Sequence, residues 1–170
     1  MRKLVAFVTF GMLFGLFTAL AVPASAQGPC VPVPNGNGSA TCTVHLQDAT
    51  FSMPVTPIAC PDGTVVPGGL LTVTVNNGVA HITINKAGDE WDTSTLEGTF
   101  VFVAAPTGIA YTGHFTEWFG DSFNNRNQVQ HATLNFVGTS ATGSKLNLHL
   151  ELHFSTDANG DLHMFAKAHC

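Results

Sequence analysis

Positive charge is scarce in this sequence. Only six Lys and Arg residues stand against eleven Asp and Glu in 170 residues, and two of the six, Arg2 and Lys3, open the chain. Beyond the first 26 residues, four cations face eleven acids, a formal charge of −7; the four are Lys86, Arg126, Lys145 and Lys167. Because phosphate contacts need clustered Lys and Arg, no nucleic-acid partner is expected.

Long apolar runs are also lacking, except for one at the start of the chain. The uncharged run "LVAFVTFGMLFGLFTALAV" lies between Arg2-Lys3 and the small residues "ASA" at positions 24–26, the pattern of a signal peptide. We therefore predict a signal peptide over residues 1–26 and cleavage before Gln27; the alternative is an uncleaved anchor of about 20 residues. A secreted or extracytoplasmic protein with no membrane span after cleavage is expected.

Familiar catalytic motifs are absent from the sequence. It contains no nucleophile elbow, helical zincin motif, phosphate loop or dinucleotide fingerprint. One acid still stands out, because Glu117 lies between Phe115 and Phe119 on the side of a strand expected to be apolar. A buried Glu117 would have a raised pKa, and beside His114 or another titratable group it would favour an enzyme. The prediction nevertheless leans towards a protein that is not an enzyme.

Helical periodicity is missing as well, and strand-like segments take its place. From Thr41 onward, short runs rich in Val, Ile, Thr and Phe alternate with Gly, Asn, Asp or Pro; they are "TCTVHL", "LLTVTVN", "VAHITIN", "GTFVFVAA", "YTGHFTEWF", "HATLNFV", "KLNLHLELHF" and "DLHMFAKAH". We predict an extended Pro/Gly-rich arm over residues 27–40. Residues 41–170 are predicted to form one all-β domain, an antiparallel meander of about eight strands making a barrel or sandwich. Asn77-Gly78 is predicted to be a two-residue hairpin turn.

Four cysteines follow the predicted cleavage point, and an exported chain would form two disulfides from them. Three pairings are possible. We favour Cys30 with Cys42, which closes a short local loop, and Cys60 with Cys170, which ties the last strand to the start of the sheet. The spacing is too wide for a zinc knuckle.

The segment "KLNLHLELHF" alternates leucine with polar residues, so one face of its strand is apolar. If the leucines face the core, their partners on the last strand face it as well; these partners are Leu162, Met164, Ala166 and Ala168. The connection between the two strands must then contain an odd number of residues. Residues 158–160 meet this requirement if Gly160 has a left-handed conformation, as in a type I turn with a G1 bulge. The predicted cross-strand pairs are His149 with His169, Glu151 with Lys167, and His153 with Phe165.

The histidines of this polar face allow two interpretations. The favoured one is an ordinary sheet surface, with an exposed Glu151–Lys167 pair flanked by surface histidines and no cofactor. The alternative is a zinc or copper site built on His149 and His169, with His153 or His131 as a further ligand.

A small-molecule or carbohydrate site is a further candidate. Residues 120–130, "GDSFNNRNQVQ", are predicted to form a long loop in which Asn125, Arg126 and Asn127 could bind a ligand. Trp118 could share the polar face with the histidines and offer a platform for stacking sugars. The simpler alternatives are a solvated loop and a tryptophan half-buried at a sheet edge.

Three segments carry a resemblance: "CPDGT", "TGHFTEWFG" and "LNLHLELHFSTDANGDLHMFAKAHC", which ends at Cys170. From Cys60 onward the chain resembles a loose group of small exported bacterial β-rich proteins of unknown function. The resemblance implies secretion and a β-rich fold, and it brings no functional residues. The prediction is an exported, disulfide-tied module that binds a small apolar molecule or carbohydrate, or is associated with the cell envelope; the alternative is a metal protein or enzyme.

Overall fold

A computed structural model describes residues 30–124 and 127–170 of the protein. The predicted signal peptide, the first three residues of the arm, and the loop residues Asn125 and Arg126 lie outside the described residues. Within the described ranges, no helix is long and apolar enough to cross a membrane.

The described chain is built from antiparallel strands, which confirms the all-β prediction. The strands, in chain order, are β1 (Val33–Pro34), β2 (Ala40–Leu46), β3 (Ala49–Val55), β4 (Ile58–Ala59), β5 (Val65–Val66), β6 (Gly69–Ile84), β7 (Glu90–Ala104), β8 (Ala110–Phe123), β9 (Gln128–Ser140), β10 (Lys145–Thr156) and β11 (Leu162–His169).

Nine of the strands form one large sheet in the order β1-β2-β6-β7-β8-β9-β10-β11, with β3 also paired to β6. Strands β2 and β3 follow one another along the single long strand β6, and β4 and β5 form a separate small hairpin. From β6 onward the sheet is the predicted meander. It is not closed into a barrel, because β11 and the β2–β3 edge do not pair with each other.

The predicted hairpin at Asn77-Gly78 is wrong, because β6 runs through both residues. A β-bulge between Val75 and Asn77 shifts the register just before them, and Asn77 and Gly78 themselves pair with Glu97 and Leu96 of β7. Gly78 is needed for packing: a Cβ at this position would lie 2.6 Å from Cδ2 of Leu96. The prediction did not include strand β3, which contains Pro54. A proline is compatible with an edge strand, because one side of its backbone forms no hydrogen bonds with a neighbouring strand.

The predicted register of β10 and β11 is confirmed at every pair. His149 lies opposite His169, Glu151 opposite Lys167, and His153 opposite Phe165. The chain reverses between Asp157 and Asp161, and Gly160 has the left-handed φ of 81° that the three-residue loop requires. Leucine alternation and turn chemistry therefore determine this register together.

Alternate residues of every long strand face a common apolar core on the inner face of the sheet. The buried core residues are Ala49, Val73, Val75, Leu96, Phe100, Phe102, Ala104, Phe115, Phe136 and Leu148. Ile58 and Val66 of the β4–β5 hairpin pack against this core. No described helix or second large sheet covers it, so the sheet curls around its own inner face.

The two ends of the curled sheet differ. We call upper the end that holds Ala104 and Ser140, and lower the end that holds Ile84 and Phe123. The bulky buried side chains and the hairpin lie towards the upper end. Towards the lower end, inner-face side chains such as Phe123 are partly or largely exposed. The upper half is therefore a packed core, and the lower half is not.

Both predicted disulfides are confirmed, and all four cysteines are paired. Cys30 and Cys42 lie 5.7 Å apart between Cα atoms and close a local loop. Cys60 and Cys170, 5.9 Å apart and 110 residues apart in sequence, join the hairpin that follows β3 to the end of β11. This second bond links the two edges of the sheet that hydrogen bonds do not join.

Removing the two disulfides separately should have unequal effects on stability. On the chain-entropy model, the Cys60–Cys170 loop contributes about 5 kcal/mol and the Cys30–Cys42 loop about 3 kcal/mol. We expect Cys60→Ser with Cys170→Ser to lower the free energy of unfolding in urea more than Cys30→Ser with Cys42→Ser. Equal losses in the two double variants would contradict the edge-joining role of the long-range bond.

Candidate functional site

The two-residue period of the strands sorts the candidate residues onto two faces. Trp118 and the four histidines of the proposed metal site lie on the outer face, whereas Glu117 lies on the inner face. His114 and Glu117 are three residues apart on β8, so they lie on opposite faces. The pairing of Glu117 with His114 that would have favoured an enzyme is therefore not formed.

The predicted His149 and His169 are neighbours, with ring centroids 5.7 Å apart. Nε2 of His149 lies 3.2 Å from Oε1 of Glu151, and its Nδ1 is hydrogen-bonded to Asn135. The bond from His149, followed by the charge of Lys167, lowers the pKa of Glu151. Local partners thus engage both ring nitrogens of His149. In the described part of the chain, no group of three or more His, Cys, Asp or Glu residues could hold a metal ion.

A row of four rings crosses the outer face near the lower end. Gly120, His131, His153 and Phe165 lie opposite one another on four adjacent strands. A Cβ at Gly120 would lie 2.9 Å from Cη2 of Trp118, so the indole lies over Gly120. The rings of His131 and His153 are 4.0 Å apart. We call Trp118, His131, His153 and Phe165 the outer aromatic row.

The predicted long loop of residues 120–130 is much shorter in the structure. Strand β8 continues to Phe123 and β9 begins at Gln128, because the polar residues at both ends pair with each other in the ladder. Asn127 exchanges hydrogen bonds with Asn124, donating its N–H to Oδ1 at 2.9 Å. Asn127 therefore bonds back to the residue that follows β8. The remaining predicted loop ligands, Asn125 and Arg126, lie outside the described residues.

Glu117 lies in an apolar part of the inner face. It is directly opposite Leu96 on β7 and Leu134 on β9, and Leu150 follows on β10. Burial raises the pKa of this carboxyl to about 7. Within residues 30–124 and 127–170, its side chain has no hydrogen-bond partner and no counter-charge. Glu117 is therefore a partly exposed acid on the apolar face, and its pKa is raised in the direction that burial would produce.

Three further carboxylates, Glu90, Asp92 and Asp121, share the inner face at its lower end. Asp92 lies opposite Asp121 and two residues from Glu90 on the same strand. Burial, followed by the neighbouring Glu90 and Asp121, raises the pKa of Asp92 to about 7. Its Oδ1 is buried without a hydrogen-bond partner in the described structure.

Amide side chains hold Asp121 in this cluster. Gln128 donates to both of its carboxylate oxygens, at 3.4 and 3.1 Å, and Gln130 donates at 3.4 Å. Sequence reasoning missed the cluster because it placed Asp121 in a loop. Continuing the alternation of β8 through Phe123 would have brought Asp121 opposite Asp92.

We call the lower half of the inner face, from Glu117 to the lower end, the inner trough. Many of its side chains are small: Gly78, Ala80, Ser94, Ala132 and Ala166. Its lower end carries apolar side chains that are not covered, with Phe123 46% and Met164 54% exposed. The trough therefore combines open apolar surface with four carboxylates, of which Glu117 lies furthest from the lower end.

Comparison with known proteins identifies no relative: no family model, curated protein or solved structure matches the chain. The function is therefore inferred from the geometry of the inner trough and of the outer aromatic row.

The Glu117 carboxyl should make the protein less stable as the pH rises. Its pKa is about 7 in the folded state against an ordinary value of 4.5, so the folded state binds the proton more tightly. Stability is then lost between about pH 4.5 and about pH 7. In Glu117→Gln, the fall in unfolding free energy between these pH values should be smaller than in the wild type. Urea denaturation across the range measures it, and identical pH profiles would contradict the burial of Glu117.

Proposed function

We propose that the protein is an exported, disulfide-stabilised binding module whose inner trough takes a small, largely apolar molecule. The observation that carries the proposal is the contrast between the two halves of the inner face. Above Glu117, large side chains such as Phe100 and Phe136 fill the space and are buried. Below it, one inner-face row carries the small side chains of Ala80, Ser94, Ala132 and Ala166, and apolar groups nearer the lower end stay exposed. Ligand sites are concave and mostly apolar, with a few polar groups that fix orientation.

Uncovered apolar surface inside the curl supports the same proposal. Phe123, Leu162 and Met164 all occupy inner-face positions near the lower end and are largely exposed. Burying such side chains against a ligand is favourable by about 25 cal/mol per Å² of apolar surface. An apolar molecule lying in the inner trough would therefore gain affinity from the same surface that lacks cover in the free protein.

Export is supported by two features. The predicted signal sequence precedes the described domain, and two disulfides of the kind that persist in oxidising compartments tie the domain together. The enzyme alternative has less support. Among the described residues, Glu117 lies beside leucines and not beside a nucleophile or base.

Filling the inner trough should abolish binding of an apolar probe. Ser94 is an inner-face residue, and Thr95, its neighbour on β7, points to the outer face. We expect Ser94→Trp to reduce the fluorescence enhancement of the neutral dye Nile red strongly, because the indole occupies the space of the ligand. Thr95→Trp is the matched control and should bind the dye like the wild type.

A second outcome would reject this assignment. If the two tryptophan variants bind Nile red equally, the dye does not lie in the inner trough. Circular dichroism of both variants verifies that they are folded before the comparison is made.

A second candidate function, carbohydrate binding, is supported by the outer aromatic row. Trp118 is 44% exposed and Phe165 is 58% exposed, with the two imidazoles between them. From the indole over Gly120 to Phe165 the row spans three strand spacings, about 14 Å. Exposed rings can stack on the apolar faces of sugars while imidazoles exchange hydrogen bonds with hydroxyl groups. The row is long enough for several linked sugars.

Loss of one ring should weaken carbohydrate binding selectively. We expect Trp118→Ala to abolish co-sedimentation with whichever of insoluble cellulose, chitin or peptidoglycan retains the wild type. Trp91 is equally exposed on the outer face but lies outside the row, so Trp91→Ala should behave like the wild type. This candidate would be rejected if the Trp118→Ala variant still co-sedimented, or if the wild type bound none of the three polysaccharides.

A further inference from the structure

The charged side chains are divided between the two faces of the sheet. All eight histidines of the sequence occupy outer-face positions, and so do the two strand lysines, Lys145 and Lys167. The charged groups on the inner face of the described residues are carboxylates only: Glu90, Asp92, Glu117 and Asp121. The described surroundings of the inner trough therefore have one sign of charge.

We propose that the molecule bound in the inner trough carries a basic amine, which forms an ion pair with Glu117. This inference rests on the proposed function, since it names the chemical class of the ligand for that same site. The ligand is an amphiphilic amine, with its apolar body along the trough and its ammonium group at Glu117.

The isolation of Glu117 is the first argument. Burying an ionised carboxylate without a partner is strongly unfavourable, and the described protein offers Glu117 neither a cation nor a hydrogen-bond donor. Its neighbours across the strands, Leu96 and Leu134, cannot supply one. An ammonium group on the ligand would supply both the missing charge and the missing donor.

The space between the acids is the second argument. Glu117 and Asp121 are four residues apart on β8, which separates them by about 13 Å along the strand. The inner-face positions between them are occupied by Phe119 on β8, Ala132 on β9 and Leu152 on β10. An apolar body lying along this stretch would contact these three side chains. A ligand with a charge at Glu117 and an alkyl or aromatic body towards the lower end matches the sequence of polar and apolar groups.

The sign of the field is the third argument. Glu90, Asp92 and Asp121 lie at the open lower end, so they attract a cation approaching the trough and repel an anion. No basic side chain on the inner face of the described residues opposes them. Of the elements around Glu117, β7 contributes Glu90 and Asp92, β8 contributes Asp121 and Tyr111, and the inner positions of the other described strands contribute no titratable group.

Three eight-carbon probes separate the contribution of the charge from that of the apolar body. Octylamine, octanol and octanoate are used to displace Nile red from the wild type, from Glu117→Gln and from Glu97→Gln. Glu97 is the matched control, because it is an exposed glutamate on the outer face of β7, next to Leu96. Glutamine preserves the shape of the side chain and removes only its charge.

At about pH 8.5, the wild type and Glu97→Gln should bind octylamine roughly tenfold more tightly than octanol, and octanoate most weakly. Glu117→Gln should lose the preference for the amine and keep its affinity for octanol. At about pH 5.5 the wild-type preference should shrink, because Glu117 becomes protonated while the amine stays charged.

Two results would overturn the inference in distinguishable ways. If octylamine and octanol displace the dye equally from the wild type, or if Glu117→Gln keeps the preference, Glu117 does not recognise an amine, and the apolar site still stands. If none of the three probes displaces Nile red, the proposed binding function fails, and the inference fails with it.

Discussion

A sheet with one apolar face and no helix to cover it must shield that face with its own strands. In this protein the curl of the long meander, the β4–β5 hairpin and the Cys60–Cys170 bond together provide the cover. The hairpin and the disulfide both act towards the upper end, where Val75 is completely buried. At the lower end the Cys30–Cys42 bond lies on the edge strand β2, yet Phe123, Leu162 and Met164 stay largely exposed there. The inner trough is therefore what remains when a single sheet covers only part of its own core.

The two-residue period of the strands gives the protein two chemically separate surfaces. Imidazoles, the two strand lysines and both tryptophans project outward, whereas the inner face carries apolar side chains and carboxylates. Separation by a single layer of backbone allows Glu117 and Trp118 to be adjacent in sequence and to face different environments. The two proposed binding surfaces can therefore be altered independently by substitutions at neighbouring positions of the same strand.

The sequence predicted those features that local chemistry determines. Leucine alternation and the turn at Gly160 were sufficient for the pairing of His149 with His169, and chain order was sufficient for the two disulfides. Features that depend on distant strands were not predictable in the same way. Asn77-Gly78 has the composition of a turn but lies within β6, just after a bulge, because β7 pairs along both sides of this point and β2 and β3 pair with the two halves of β6. Predicting the acid cluster would have required the register of β7 against β8. Whether a meander closes into a barrel depends on the curvature of the whole sheet, which no short segment encodes.

The covalent anchor at the end of β11 has a consequence for how insertions and deletions are tolerated. An edge strand is bonded on one side only, and a slip by one residue would exchange its two faces. Lys167 and His163 would then point into the trough, and Ala166 would point outward. Cys170 is joined to Cys60. Inserting or deleting one residue within β11 would therefore either prevent this bond or exchange the inward-facing and outward-facing residues of the strand. Changes of two residues preserve the alternation of faces, so an insertion or deletion of two residues in β11 should disturb the fold less than one of a single residue.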